Sequence, residues 1–168
     1  MMSTATAQNS GRESFDARVV RLTGTIALAA PVNDVFPLFS PLGEKKWVEG
    51  WDPEILFPRG ADWVEGMVFR TFSPGQEAIW VVAELDPQAH RVVYYRVEPD
   101  NLVARVEVRC RALGIDRTEA TTIYSYVGLS NTGNEHVAEW TNAAYMAKMD
   151  RWEKIINEYL ASPGRESC

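Results

Sequence analysis

The sequence predicts an α+β protein: a curved antiparallel sheet of six or seven strands around a long C-terminal helix, with two short helices after the first strand. Three observations predict it. Strand-like segments follow one another in a block, with helical patterns only before and after, which is the signature of α+β rather than doubly wound α/β order. Proline and glycine punctuate that block at hairpin spacing, which requires antiparallel pairing. The chain closes on a stretch from Glu135 to Leu160 with no Gly or Pro and one apolar face.

Val20, Leu22, Gly24, Ile26 and Leu28 share one parity and Arg21, Thr23 and Thr25 the other, the period-two pattern of a half-buried strand. Ala30-Pro31 ends it. Val32, Val35, Phe36 and Phe39 have helical spacing, and Pro37 keeps that helix short or kinked. Ser40-Pro41 offers a cap for a second short helix through Glu44 to Trp47. Trp47 to Gly66 reads as a loop, with Gly50, Pro53, Pro58 and Gly60, yet it carries Trp47, Trp51 and Trp63. So much apolar surface predicts a flap packed on the core or the rim of a cavity.

Four strands follow. Met67–Ser73 ends at Pro74-Gly75, Glu77–Leu85 at Asp86-Pro87, and His90–Val97 at Glu98-Pro99. In Leu102–Leu113, Ala104, Val106, Val108 and Cys110 alternate with Arg105, Glu107, Arg109 and Arg111, so the charged set is expected on a solvated outer face. Glu119–Ser130 is a further strand whose inward face the pattern leaves open: Thr121, Ile123, Ser125, Val127 and Leu129 compete with Thr122, Tyr124 and Tyr126. Thr132 to Glu135 has capping-box spacing. The helix then presents Ala138, Thr141, Tyr145, Met149, Trp152, Ile156 and Tyr159 on its apolar face, with Lys148, Asp150, Arg151, Glu153, Lys154 and Glu158 on the rest. Ser162-Pro163-Gly164 stops it. One domain is expected over 17–162, with tails at 1–16 and 163–168.

The 168 residues include 17 basic and 23 acidic side chains, a net charge of −6, and that balance offers no footprint for nucleic acid. No window of 18 apolar residues exists, so no integral membrane segment is expected. Met1 to Asn9 is polar and lacks the pattern of a secretory leader. Two cysteines, Cys110 and Cys168, make no disulfide framework, and a reducing cytoplasm is the expected compartment. Phosphate-binding glycine motifs, H-E-x-x-H and C-x-x-C are missing, so neither a cofactor nor a metal is expected. His136-x-x-Glu139 has the spacing of two ligands on one helical turn but reads as an exposed helix start, since no further ligands can be named.

The run from Ala30-Pro-Val-Asn-Asp-Val-Phe to Glu44, then Trp47 and Gly50-Trp51-Asp52-Pro53, resembles the opening of START-like, Bet v 1-like (SRPBCC) proteins, in particular the polyketide cyclase/dehydrase-like branch. Trp80 to Pro87, Leu129-Ser130, Gly133 to Glu135 and Tyr145 to Leu160 extend the resemblance over about residues 18 to 161. It implies a helix-grip fold with a cavity between sheet and C-terminal helix. Known members bind sterols, lipids, polyketides, plant hormones or quinones; some are cyclases or dehydratases, and others are related to the Hsp90 activator.

Small-molecule pockets are apolar and aromatic with a few polar groups. On that chemistry the candidate ligand-binding residues are Trp51, Trp80, Tyr95, Tyr145 and Met149, with Trp63 and Tyr124 or Tyr126 as further aromatic candidates. The competing reading is that these rings simply fill the core, and Trp152 is expected to be pure packing. No catalytic residue can be named. Cys110 is expected as inert packing and His90 as a solvated turn residue, while Glu84 and Arg96 would point inward only if the strand parity slipped by one. The leading expectation is therefore a binding protein for a hydrophobic or aromatic small molecule such as a lipid or polyketide, either monomeric or a homodimer. An enzyme of the cyclase or dehydratase kind using the same pocket, and a protein-interaction domain with a filled core, are the alternatives.

Overall fold

The computed structural model describes residues 15–60, 62–73 and 75–163. Most of both expected tails, Pro74 of the Pro74-Gly75 turn, and Cys168 lie outside these residues. Strand β1 (Val19–Leu28) leads into helix α1 (Val32–Val35) and two 3₁₀ turns, Phe36–Phe39 and Glu44–Lys46. Strands β2 (Glu54–Phe57), β3 (Val68–Ser73), β4 (Gln76–Asp86), β5 (Arg91–Glu98), β6 (Leu102–Ala112) and β7 (Thr118–Gly128) follow, then α2 (Asn131–Glu139) and α3 (Asn142–Ala161). All seven strands form one antiparallel sheet in the order β1-β7-β6-β5-β4-β3-β2. The expected fold class is the observed one.

Two elements differ from expectation. The Trp-rich stretch is not all loop, because Glu54–Phe57 pairs with β3. The C-terminal helix is not continuous, because it breaks at Trp140 and Thr141 without any Gly or Pro. Thr141 is extended and its hydroxyl accepts a hydrogen bond from the Ala144 N–H at 3.2 Å, so it caps a new helix. The α2 cap is Ser130, which accepts from the Gly133 N–H at 3.0 Å, and not the expected Thr132. A Cβ on Gly133 would lie 1.7 Å from the Asn101 carbonyl oxygen, so only glycine lets α2 start against the β5–β6 turn.

The open parity of β7 is resolved: Thr122, Tyr124 and Tyr126 face inward and are buried. The β6 alternation holds, with Ala104, Val106, Val108 and Cys110 buried. Glu107 is the exception on the outer face. It lies on the solvent side of the sheet, yet it is only 3 % exposed, because arginines cover it. Arg91 Nε donates to Glu107 at 2.9 Å, Arg105 at 2.8 Å and Arg109 at 2.5 Å. Glu84 also lies on this face, paired to Arg91 at 2.6 Å. Burial opposes ionisation of Glu107, but the hydrogen bonds from Arg91, Arg105 and Arg109 outweigh it and bring its pKa down to about 2.

The helix α3 packs on β1. Gly24 makes the approach possible: a Cβ there would lie 2.5 Å from Met149 Cγ and 3.0 Å from Tyr145 Cε1. Behind this contact Tyr145, Met149 and Ile156 are fully buried, and Thr122 Oγ1 lies 2.6 Å from the Tyr145 hydroxyl and 3.1 Å from the Met149 sulfur. Polar side chains of the helices also seal the free edge of β1. Glu153 accepts from the Ala27 N–H at 2.8 Å, Asn157 accepts from Ala29 at 2.9 Å, and the same amide donates to the Ala27 carbonyl at 3.0 Å.

Gly24→Ala is expected to lower stability by about 1–3 kcal/mol, the usual cost of forcing atoms into a packed interface. In Met149→Ala the same change should cost less, and a double-mutant cycle of thermal or urea unfolding measures the coupling. Glu107→Gln is expected to lose roughly 1–3 kcal/mol near pH 7. Because the folded pKa is depressed from 4.5 to about 2, this contribution is full above pH 4.5 and fades as pH falls toward 2. Unfolding of both proteins from pH 2 to 7 checks it: the two curves should converge at the acid end.

Candidate functional site

A cavity of about 310 Å³ lies between the concave face of the sheet, α3 and the loop around Trp51. Its walls are aromatic. Phe69 of β3 and Trp80 of β4 stack 5.6 Å apart with planes 8° from parallel, and Trp51 stands edge-on to Trp80 at 5.7 Å. Opposite them, Tyr124 and Tyr126 stack at 5.5 Å, and Trp140 stacks on Tyr126 at 5.1 Å. Trp140 reaches this place because the chain breaks between α2 and α3 there. The Tyr94 hydroxyl donates to the Phe39 carbonyl at 2.8 Å and Trp51 Nε1 to the Pro41 carbonyl at 2.7 Å, which fix the wall to the 3₁₀ turns beside it.

Five charged side chains line this space: Glu49 and Asp52 are exposed to solvent, whereas Glu44, Arg96 and Lys148 are partly buried. Arg96 is ion-paired to the buried Glu98, and its guanidinium lies 5.5 Å from the Trp80 ring centre. Its Nε and the Tyr126 hydroxyl are buried without hydrogen-bond partners. Lys148 sits on the apolar stripe of α3, three residues after Tyr145 and four before Trp152. Its ammonium lies 4.1 Å from the Tyr124 ring centre and 4.4 Å from that of Trp152, with Trp140 and Tyr145 at 5.3 and 5.8 Å. Burial pulls its pKa down from 10.5 to about 7, opposed by Glu44 and reinforced by Arg96 and Arg151. Cation–π attraction of about 0.5–2 kcal/mol works against that loss of charge.

Burial pushes the Glu44 carboxyl up from 4.5 to about 8, opposed by Lys148. The residue as a whole keeps some accessible surface and lines the cavity. A carboxyl and an amine with displaced pKa values in one apolar space can exchange protons near neutral pH.

The sequence candidates divide. Trp51 and Trp80 line the cavity. Tyr95 does not: it is 43 % exposed on the outer face, and its inward neighbour is Arg96. The apolar run Val92-Val93-Tyr94-Tyr95 looks alike on both faces, so its composition does not fix the phase. Tyr145 and Met149 lie behind the wall in the contact with β1, and neither lines the cavity. Trp152, expected as pure packing, is on the lining, as are Tyr124 and Tyr126. Trp63 packs on Phe36 at 4.9 Å instead. Glu44, Trp140 and Lys148 were not among the candidates; the spacing of Lys148 from Tyr145 and Trp152 was the available signal. His90 Nε2 lies 2.9 Å from the Asn33 amide oxygen, and His136 Nδ1 is 2.7 Å from that of Asn101. Burial pushes the Cys110 thiol up to about 12, which leaves it unreactive. Among the described residues no group of three or more His, Cys, Asp or Glu is placed to hold a metal ion, and no helix is long and apolar enough to cross a membrane.

Because the folded pKa of Lys148 lies below its unfolded value, the unfolded chain binds more protons between pH 7 and 10.5, so this residue makes stability rise with pH there. Glu44 acts oppositely between pH 4.5 and 8, and Cys110 lowers stability above pH 9. Between pH 8 and 9 the stability advantage of Lys148→Met over the parent is therefore expected to shrink, by up to about 1.4 kcal/mol per pH unit. Urea unfolding of both proteins at half-unit pH steps measures it; a constant or growing difference contradicts the burial of this amine.

No protein-family model and no curated protein matches the sequence. Solved structures do. Norcoclaurine synthase from Thalictrum flavum, in complex with dopamine and hydroxybenzaldehyde, aligns with a TM-score of 0.61 at 16 % identity, over 88 % of this chain and 91 % of that one. The allergen Ara h 8.0201 aligns at 0.63 and 12 % identity, over 87 % and 100 % of the two chains. A hypothetical protein from Helicobacter pylori aligns at 0.66 and 13 % identity, over 83 % and 87 %. At such identities the likeness concerns the fold: the chain has the Bet v 1-like helix-grip architecture, a curved seven-stranded antiparallel sheet with a long C-terminal helix.

Proposed function

We propose that the cavity takes up a flat hydrophobic or aromatic small molecule that carries a polar group. The observation that carries this is the space itself: about 310 Å³, walled by stacked rings and left unfilled by the protein's own side chains. Ligand pockets start near this size, so the space suits one or two fused rings better than a whole lipid. The Tyr126 hydroxyl and Arg96 Nε belong to lining residues and have no hydrogen-bond partner within the protein, so polar capacity lies directly behind the aromatic wall. A neighbour of the same fold solved with two aromatic compounds supports the reading.

A second reading, an enzyme, is favoured by one observation. Glu44 and Lys148 face the same apolar space with pKa values displaced toward neutrality, as acid–base chemistry requires. The third alternative, an interaction domain with a filled core, ranks lower because the core beside α3 is open.

Val106 projects from the middle of β6 into the cavity. Val106→Trp is expected to occupy the space, weakening binding of 2-naphthylmethanol by about tenfold or more, a change of roughly 1.4 kcal/mol. Calorimetric titration and thermal melting of both proteins check it. If the parent binds no such compound, and the variant is merely 1–3 kcal/mol less stable as a solid core would be, the binding reading fails and the interaction reading moves ahead.

A further inference from the structure

We propose that Lys148 is an imine-forming residue, whose amine condenses with the carbonyl carbon of an aryl aldehyde or ketone held between the ring faces of the cavity. The inference rests on the binding reading above and goes beyond it by naming a carbonyl as the ligand's polar group and a bond to it.

The chain has four lysines: Lys45, Lys46, Lys148 and Lys154. Only Lys148 lines the cavity. Lys45 is spent on Asp52 at 2.7 Å, and Lys154 is on the surface, 3.9 Å from Glu158. Lys148 has no carboxylate within ion-pair distance and donates no hydrogen bond among the described residues. Ring faces surround its nitrogen at 4.1 to 5.8 Å. Such faces hold a cation in place, but they accept N–H hydrogen bonds only weakly, so an ammonium there leaves donors unsatisfied. Loss of one proton relieves this and frees the lone pair that a nucleophile needs. Desolvation in an apolar pocket beside another cation, here Arg96, is a standard way to activate a lysine amine. The rings that cage the nitrogen and those of Phe69 and Trp80 across the cavity leave room for a flat aryl group within reach of it.

The step balances without a further reactant. The Nζ lone pair attacks the carbonyl carbon, and the C=O π pair moves to oxygen, which takes the proton of the Glu44 carboxyl. The new hydroxyl relays one proton from the nitrogen to Glu44, since the two side chains are not within ion-pair distance. The hydroxyl then leaves as water, taking that proton from Glu44, and the nitrogen lone pair closes the C=N bond. The released water relays the remaining iminium proton to Glu44, which ends as it began. One amine and one carbonyl become one imine and one water. Burial favours the protonated Glu44 carboxyl that this sequence starts from.

The test incubates the full-length protein with 2-naphthaldehyde and sodium cyanoborohydride, maps the labelled peptide by mass spectrometry, and titrates 2-naphthylmethanol in parallel as a ligand that cannot form an imine. The expected result is one naphthylmethyl group per chain, on Lys148, formed with a half-maximal pH near 7 and not near 10.5. Lys148→Arg should acquire no label at that position, and Glu44→Gln should slow labelling about 10²-fold, the usual size of a general-acid contribution. Binding of the alcohol with labelling absent, or confined to Lys45, Lys46 and Lys154, overturns the proposal and leaves the binding reading standing. Failure to bind the alcohol at all overturns both. Peptide mapping of the parent decides the matter even if a variant folds poorly.

Discussion

Helix α3 approaches β1 so closely at Gly24 that no carbon atom fits between them, and the position of the empty space follows from this contact. The stripe Tyr145, Met149 and Ile156 is consumed in covering one side of the concave face. Toward β3, β4 and β5 the same sheet carries large flat side chains, Phe69, Trp80 and Tyr94, which border the cavity. Stacked rings make firm walls, because their contacts with each other are satisfied without a partner from above. One close contact on one side therefore sustains a void on the other, which a helix centred on the sheet would fill.

The sheet also separates two electrostatic regimes. On its outer face Glu107 lies under three arginines that remain partly solvated, and its carboxylate is held ionised. On the inner side Glu44 has one lysine in electrostatic reach and little water, and its carboxyl is driven toward the neutral form. The residue type is the same and the two pKa values move in opposite directions. Direct hydrogen bonds from several cations outweigh desolvation; one distant cation does not. The first arrangement stabilises, while the second stores a proton at a cost the packing elsewhere must offset.

The elements were legible in the sequence wherever the two faces of a segment differ chemically. In β1 and β6 apolar and polar residues alternate, so parity and strand are read together. In β5 both faces are apolar over Val92 to Tyr95, and composition alone gives no phase; Tyr95 faces outward and Arg96 inward, the reverse of the expected arrangement. The helix break at Trp140 was hidden because a threonine cap, with no Gly or Pro, produces it. The site suffered most from a sound general rule. Lysine on an amphipathic helix is expected on the solvated face, yet the spacing of Lys148 from Tyr145 and Trp152 puts it on the apolar stripe. Glu44 had no signal of its own, since a carboxylate in a short turn is ordinarily solvated and only the tertiary fold encloses it.

The side chains that α3 lends to the rim of β1 have a consequence for how copies of the chain meet. An outermost strand with bare amides and carbonyls is a template on which a second chain can build. Here Glu153 and Asn157 already occupy those groups at Ala27 and Ala29, through three hydrogen bonds. At the other end of the sheet β2 is four residues long and offers little ladder to extend. A continuous sheet running from one molecule into the next would first have to strip the helix from its own border, so self-association of this protein is steered away from strand exchange and toward contacts between surfaces.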